Sequence, residues 1–115
     1  MSHVTNILLC TAIDDGRTGK DEHPNANALS AWLIDEYGDA NALKKLDHMA
    51  TGGKAMQADV FGVAVNYCNI DGLVAKFMSI PWERRESAQL MVKDEDWDGF
   101  RTYEAADTVP KEPKP

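Results

Sequence analysis

The fold is decided by the stretch VFGVAVNYCNIDGLVAKF, which covers residues 60–77. Successive side chains of a strand point to opposite faces, so the odd-numbered residues of its first half share one face. Those residues are Phe61, Val63, Val65 and Tyr67. The second half has the i, i+3, i+4, i+7 spacing of a helix that packs on a sheet, at Ile70, Leu73, Val74 and Phe77. We therefore predict a strand and then a helix, capped by Asn69 or Asp71 and ended by Pro81.

A second strand and helix are predicted towards the N-terminus. Residues 4–13 carry apolar side chains on both faces, which is typical of a central strand covered on both sides. The charged stretch 14–24 has no period and predicts a loop. Asn25 or Asn27 is expected to cap the following helix, and Gly38 to end it. The apolar stripe of this helix is Leu29, Trp32, Leu33 and Tyr37.

Residues 42–50 are ambiguous, because Leu43, Leu46 and Met49 are spaced by three and suit a helical turn as well as a strand. The two glycines that follow favour a tight hairpin, since Gly-Gly accommodates the positive φ angles of such turns. We therefore predict strands near 43–50 and 55–67, joined at Gly52-Gly53.

Residues 88–93 alternate like a strand, the acidic stretch 94–99 predicts a turn, and 100–104 predict a short last strand. The chain is thus expected to form one α+β domain over residues 1–105. The remaining residues, 106–115, are rich in Pro, Lys and Glu and predict an extended, disordered tail.

The predicted element order is β-α-β-β-α-β, which is typical of a ferredoxin-like sandwich with a mostly antiparallel sheet of four or five strands. Two helices can cover one face of such a sheet. Because the inner strands are apolar on both faces, a second copy of the chain is expected to cover the other face, which makes the protein a homodimer.

The charge balance argues against nucleic acid and anionic membranes as partners. Nineteen acidic residues against 12 basic ones leave a net charge of −7, whereas nucleic-acid binders cluster Lys and Arg to neutralise phosphates. An acidic surface instead suits solubility or a protein partner with a basic surface.

Two cysteines, Cys10 and Cys68, lie in apolar stretches and form no CxxC pair. The first apolar run, residues 7–13, has no basic residue before it and is too short to span a bilayer. The sequence therefore predicts a cytoplasmic protein.

The candidate ligand site is Gly52, Gly53 and Lys54, with His48 as a proton carrier. Consecutive glycines allow backbone amides to converge on a phosphate, beside the lysine charge. The string is not a Walker A loop, and the competing interpretation is a simple hairpin turn.

Trp82, Arg84 and Arg85 form the candidate partner-binding site, since tryptophan and arginine dominate interface hot spots. The alternative is that Trp82 folds back to seal the end of the second helix, with both arginines in solvent. The acidic loops around His23 and Asp94 match no calcium-loop spacing, and the chain has no His/Cys set at zinc spacing. We therefore expect neither a metal nor a cofactor.

Residues 50–104, with GGKAM at 52–56, NY at 66–67 and IPWE at 80–83, resemble small uncharacterised proteins of bacteria and phages. The resemblance implies no activity. The leading hypothesis is a non-catalytic, homodimeric interaction or regulatory module, which in a phage would be an acidic inhibitor of a host factor. The alternative is a binder of, or enzyme acting on, a small phosphorylated ligand.

Overall fold

The computed structural model describes residues 3–106, which form an α+β fold with two helices and an antiparallel sheet of five strands in the order β2-β3-β1-β4-β5. The strands are β1 (Val4–Thr11), β2 (Lys44–Lys45), β3 (Asp59–Asn66), β4 (Gln89–Asp94) and β5 (Arg101–Glu104). The helices are α1 (Pro24–Tyr37) and α2 (Ile70–Ser79). The predicted α+β class is confirmed. Most of the predicted tail, residues 107–115, lies outside the described residues.

The core lies between the two helices and one face of the sheet. β1 is central, between β3 and β4, and its Leu9 stands directly opposite both Phe61 and Leu90. Residues that stand opposite each other in a ladder share a face, so these three side chains point the same way. They pack against the buried apolar stripes of the two helices. The stripes are Leu29 and Leu33 in α1, and Leu73 and Phe77 in α2.

The two helix starts differ in their capping. Asn69 caps α2 as predicted, and its side chain accepts a hydrogen bond from the Gly72 amide. The prediction for α1 is wrong: the helix begins at Pro24, so Asn25 and Asn27 lie inside its first turn. The nitrogen of the first helical residue donates no intrahelical hydrogen bond, so proline is well suited to that position. The helix therefore begins at the proline, ahead of both asparagines.

The predicted hairpin is also wrong. β2 pairs with β3 only at Lys44–Gly62 and Lys45–Phe61, and the chain then turns through a 3-10 helix at Asp47–Met49. The Asp47 side chain accepts the hydrogen bond of the Val60 amide at 2.9 Å, so it replaces a backbone carbonyl of the ladder and ends the pairing. Gly52 and Gly53 therefore lie in a long irregular connection and do not close a tight turn.

Residues 3–106 contain no helix that combines the length and the apolar composition needed to cross a bilayer.

Candidate functional site

The sheet face opposite the helices carries an apolar strip. Even-numbered residues of β1 and β3 and odd-numbered residues of β4 point to this face, since Leu8 stands opposite both Gly62 and Met91. The apolar strip consists of Leu8, Cys10, Leu46, Val60, Ala64, Met91 and Phe100. Within residues 3–106 no helix packs over it, so we call this surface the open face.

Gly62 lets two of these side chains approach the middle of the sheet. A Cβ built on Gly62 would lie 2.7 Å from Leu46 Cδ1 and 3.2 Å from Leu8 Cδ2. Leu46 and Leu8 thus cover a position that has no side chain of its own. Together with Phe100, which is 49% exposed, they line a shallow cleft of about 360 Å³. The open face is therefore apolar and indented at its centre.

Charged residues of opposite sign stand at the two edges of the open face. Lys44 lies in β2 at one edge and is opposite Gly62. Glu104 lies in β5 at the other edge, where it accepts a hydrogen bond from Gln89 at 3.2 Å. Lys93 and Asn6, which face each other in the ladder, mark the end of the apolar strip. The rim is polar while the centre is apolar, which is the general layout of a protein interface.

A polar cluster lies at the end of the sheet where β1 ends and β3 begins. The Nδ1 atom of His23 is 3.3 Å from Oδ2 of Asp59 and 3.8 Å from Oδ1 of Asp14. The Asp59 side chain is buried, and its Oδ2 accepts a hydrogen bond from the Asp14 amide at 2.8 Å. The imidazole ring also packs edge-on against Phe61. Three separate segments of the chain therefore meet here.

Two cations hold the outer side of this cluster. Arg17 donates to Oδ2 of Asp14 at 3.2 Å, and Lys45 Nζ lies 3.4 Å from Oδ1 of Asp59. The hydrogen bond from Lys45 to Asp47, at 2.7 Å, raises the pKa of the lysine above its ordinary value. Burial alone would raise the pKa of Asp47, but the bonds from Lys45 and the Val60 amide hold it below its ordinary value. Both groups of this pair therefore stay charged around neutral pH.

A second polar pair lies at the opposite end of β1. His3 Nε2 is 2.6 Å from Oδ2 of Asp94, whose other oxygen accepts from the Thr5 hydroxyl at 2.9 Å. The hydrogen bond with Asp94 raises the pKa of His3. Burial opposes the charge of Asp94, but the bonds from His3 and Thr5 outweigh it and lower the pKa of the carboxyl. The pair joins the start of β1 to the end of β4.

The predicted ligand residues are all on the surface. His48, Gly52, Gly53 and Lys54 are exposed, and Gly52 has a φ of +152°. Within residues 3–106 neither His48 nor Lys54 makes a side-chain hydrogen bond or an ion pair. The structure thus shows no enclosure and no partner that would orient an acid–base group at these four residues.

The three predicted partner-binding residues lie in different environments. Trp82 is only 4% exposed, and its indole N–H donates to the Phe77 carbonyl at 2.9 Å. Arg85 donates to three backbone carbonyls at the end of α2 and after β5, those of Met78, Ile80 and Ala105. Trp82 and Arg85 therefore close the end of α2; the alternative interpretation places Trp82 there but expects Arg85 to be in solvent. Only Arg84 is exposed.

Sequence reasoning placed Asp15 only among the acidic residues around His23, and it missed Asp59. Asp15 is buried and accepts hydrogen bonds from the Asn25 side chain and from the Glu83 and Arg84 amides. Asp59 faces Thr11 in the ladder and joins His23 across the sheet end. Asp59 lies directly before an apolar stretch, and this position was the available signal in the sequence. A carboxylate that is buried there needs hydrogen-bond or ionic partners.

Comparison of the chain with models of protein families, with curated proteins and with solved structures finds no match.

Proposed function

We propose that the protein is a non-catalytic interaction module that forms a homodimer through the open face of its sheet. The observation that carries this proposal is the apolar strip, with Leu8, Leu46 and Phe100 around an indentation and no helix over it within residues 3–106. Ala64 and Phe100 are exposed and the other five residues of the strip are half-buried. Contiguous apolar surface that water reaches marks interaction sites, because leaving it in water costs free energy.

The open face has the area of a small interface between two copies. The five strands contain 28 residues, and each residue occupies about 16 Å² of the sheet face, about 3.3 Å along the strand by about 4.8 Å across it. The flat area is therefore about 450 Å², roughly half of the 800 Å² per partner that is typical of a standard-size interface. Two such faces would pack about 10 Å apart, as the sheets of a sandwich do.

The edge charges favour one arrangement of the two copies. A two-fold axis parallel to the strands places the β2 edge of one copy over the β5 edge of the other, so Lys44 meets the Glu104 side. An axis across the strands places Lys44 of one copy over the Lys44 of the other, which is repulsive. We therefore propose the parallel axis.

Chemical cross-linking tests the arrangement with the protein's own cysteines. Cys10 lies on the open face, where the parallel axis brings the two copies of it to the same level, whereas Cys68 packs against the core on the helix side. A short bis-maleimide at neutral pH, where maleimides react with thiols rather than amines, should cross-link the wild type and Cys68→Ser, and should leave Cys10→Ser as a single chain. Cross-links that persist in Cys10→Ser, or that form in none of the three proteins, would reject this interface.

Finer features belong to the same proposal. A cytoplasmic location is supported by the two free cysteines, Cys10 and Cys68. A ferredoxin-like classification is supported by the element order and by the place of β1 between β3 and β4, with β5 as an added edge strand. A further partner with a basic surface, such as a host factor if the protein is phage-borne, is supported by the net charge of −7.

The alternative function, binding of a phosphorylated ligand at Gly52, Gly53 and Lys54, has weaker support because these residues and His48 are exposed. A thermal-shift panel of nucleotides and sugar phosphates distinguishes it. A rise in melting temperature that Lys54→Ala abolishes would favour the ligand site over a purely interacting module.

A further inference from the structure

We propose that Asp14, His23 and Asp59 bind a divalent transition-metal ion, with Zn²⁺ as the probe. The three residues come from three segments: the loop after β1, the residue before α1 and the first residue of β3. Their ligand atoms are His23 Nδ1, Asp14 Oδ1 and Asp59 Oδ2, which all lie within 4.8 Å of one another. This site is independent of the open face.

The spacing from His23 Nδ1 to Asp59 Oδ2 matches an edge of a tetrahedral coordination polyhedron, and the spacing to Asp14 Oδ1 is longer than such an edge. A tetrahedral Zn²⁺ ion with bonds of about 2.0–2.1 Å keeps its ligand atoms about 3.3–3.4 Å apart. The His23 Nδ1 atom is 3.3 Å from Asp59 Oδ2 and 3.8 Å from Asp14 Oδ1. One nitrogen faces two carboxylate oxygens at once, although a neutral imidazole nitrogen can donate only one proton. A shared cation satisfies all three groups.

The outer oxygens of both carboxylates are already held, which orients the inner ones. Arg17 binds Oδ2 of Asp14, and Lys45 lies beside Oδ1 of Asp59. The inner oxygens, Asp14 Oδ1 and Asp59 Oδ2, face the imidazole. The Asp14 amide also donates to Asp59 Oδ2, which has a second lone pair for a metal. Outer partners of this kind commonly fix the ligands of metal sites.

The local charge permits a dication. Asp14, Glu22, Asp47 and Asp59 carry four negative charges against the two positive charges of Arg17 and Lys45. Two negative charges therefore remain when His23 is neutral, within a chain whose net charge is −7. One imidazole nitrogen and two carboxylate oxygens are ligands typical of Zn²⁺, Co²⁺, Mn²⁺ and Fe²⁺. Three protein ligands leave at least one coordination position open for water or a small ligand.

Calorimetric titration of the untagged full chain with Zn²⁺ tests the site. We expect one ion per chain, and at least tenfold weaker binding in His23→Gln and in Asp14→Asn. Asp14 is partly exposed, so Asp14→Asn tests the site even if Asp59→Asn fails to fold. His48→Gln is the matched control for an exposed histidine. His3→Gln controls for the other cluster, His3, Glu95 and Asp96, and both controls should bind Zn²⁺ as the wild type does.

Limited trypsin digestion gives a second measurement. Arg17 and Lys20 are exposed in the loop between Asp14 and His23, so Zn²⁺ should slow cleavage there in the wild type and not in His23→Gln. The proposal is overturned if the wild type binds no Zn²⁺ at millimolar concentration. It is equally overturned if His23→Gln binds as tightly as the wild type, or if His3→Gln abolishes binding.

Discussion

The backbone amide of Arg84 donates a hydrogen bond of 2.9 Å to the carboxylate of Asp15, 69 residues earlier in the chain. The same carboxylate accepts from the Glu83 amide at 3.0 Å and from the Asn25 side chain at 2.7 Å. It therefore fastens the loop after β1 to the start of α1 and to the segment after α2. A buried carboxylate that accepts hydrogen bonds from three donors stabilises the fold, since its removal leaves those donors without acceptors.

We expect Asp15→Ala to lower the free energy of unfolding by about 2–4 kcal/mol, because the partly buried Glu83 and Arg84 amides and the buried Asn25 side chain lose their acceptor. Urea unfolding followed by circular dichroism measures the change. Asp35→Ala, at an exposed position of α1, is the control and should change stability by less than about 0.5 kcal/mol. Equal effects of the two substitutions would refute the role of Asp15.

Arg85→Lys should destabilise the protein by about 1–2 kcal/mol, because lysine keeps the charge but cannot donate in the three directions that the guanidinium uses. Arg84→Lys, at the exposed neighbouring position, should change stability by less than about 0.5 kcal/mol. The midpoint of urea unfolding compares the two variants. A stability of Arg85→Lys equal to that of the wild type would show that the three hydrogen bonds contribute nothing.

The His3–Asp94 pair should stabilise the fold most between pH 3.8 and 6.5, the ordinary pKa values of the two groups. The pKa of His3 is raised, so its contribution is complete below pH 6.5 and is lost as the pH rises through its folded pKa. The pKa of Asp94 is lowered, so its contribution is present above pH 3.8 and is lost as the pH falls through its folded pKa.

Urea midpoints at about pH 5 and about pH 9 should therefore differ more in the wild type than in His3→Gln. His48→Gln removes an exposed histidine that has no ion pair within residues 3–106, so it should follow the wild type. Parallel pH profiles of the wild type and His3→Gln would contradict the stabilising role of this pair.

The proposed axis predicts a charge-swap effect. Lys44→Glu and Glu104→Lys should each weaken the dimer up to about 30-fold, since each places like charges at both pairs of facing edges in the two-fold dimer, and each exposed pair contributes about 0.2–1 kcal/mol. The double variant should recover most of the wild-type affinity. Sedimentation velocity at low salt measures all four proteins. Losses that simply add in the double variant would reject this pairing of edges.

The local elements could be predicted because their signals lie within a few residues. The stripe of α2 and its cap at Asn69 are set by helical spacing and one side-chain hydrogen bond. β1 has apolar side chains on both of its faces, a pattern that predicts a central strand, and the structure places β1 at the centre of the sheet. Such features depend on periodicity, which the sequence displays directly.

The remaining features depend on contacts between distant segments. Asp47 ends the β2–β3 pairing by binding the Val60 amide, 13 residues away, so the glycines at 52–53 do not form the hairpin turn that their sequence predicts. The cluster of Asp14, His23 and Asp59 exists only because the sheet brings the end of β1 beside the start of β3. The spacing of residues within a short stretch of sequence does not predict which distant segments come into contact.

The mass of the protein in solution tests self-association through the open face. Two variants are compared with the wild type, one with a lysine introduced on the open face and one with a lysine introduced on the helix side. Ala64 is exposed on the open face, and Ala31 is exposed on α1, on the helix side. Sedimentation velocity at rising concentration should give a dimer for the wild type and for Ala31→Lys, and a folded monomer for Ala64→Lys. A wild type that stays monomeric at high concentration, or an Ala64→Lys variant that dimerises as the wild type does, would contradict the proposed interface.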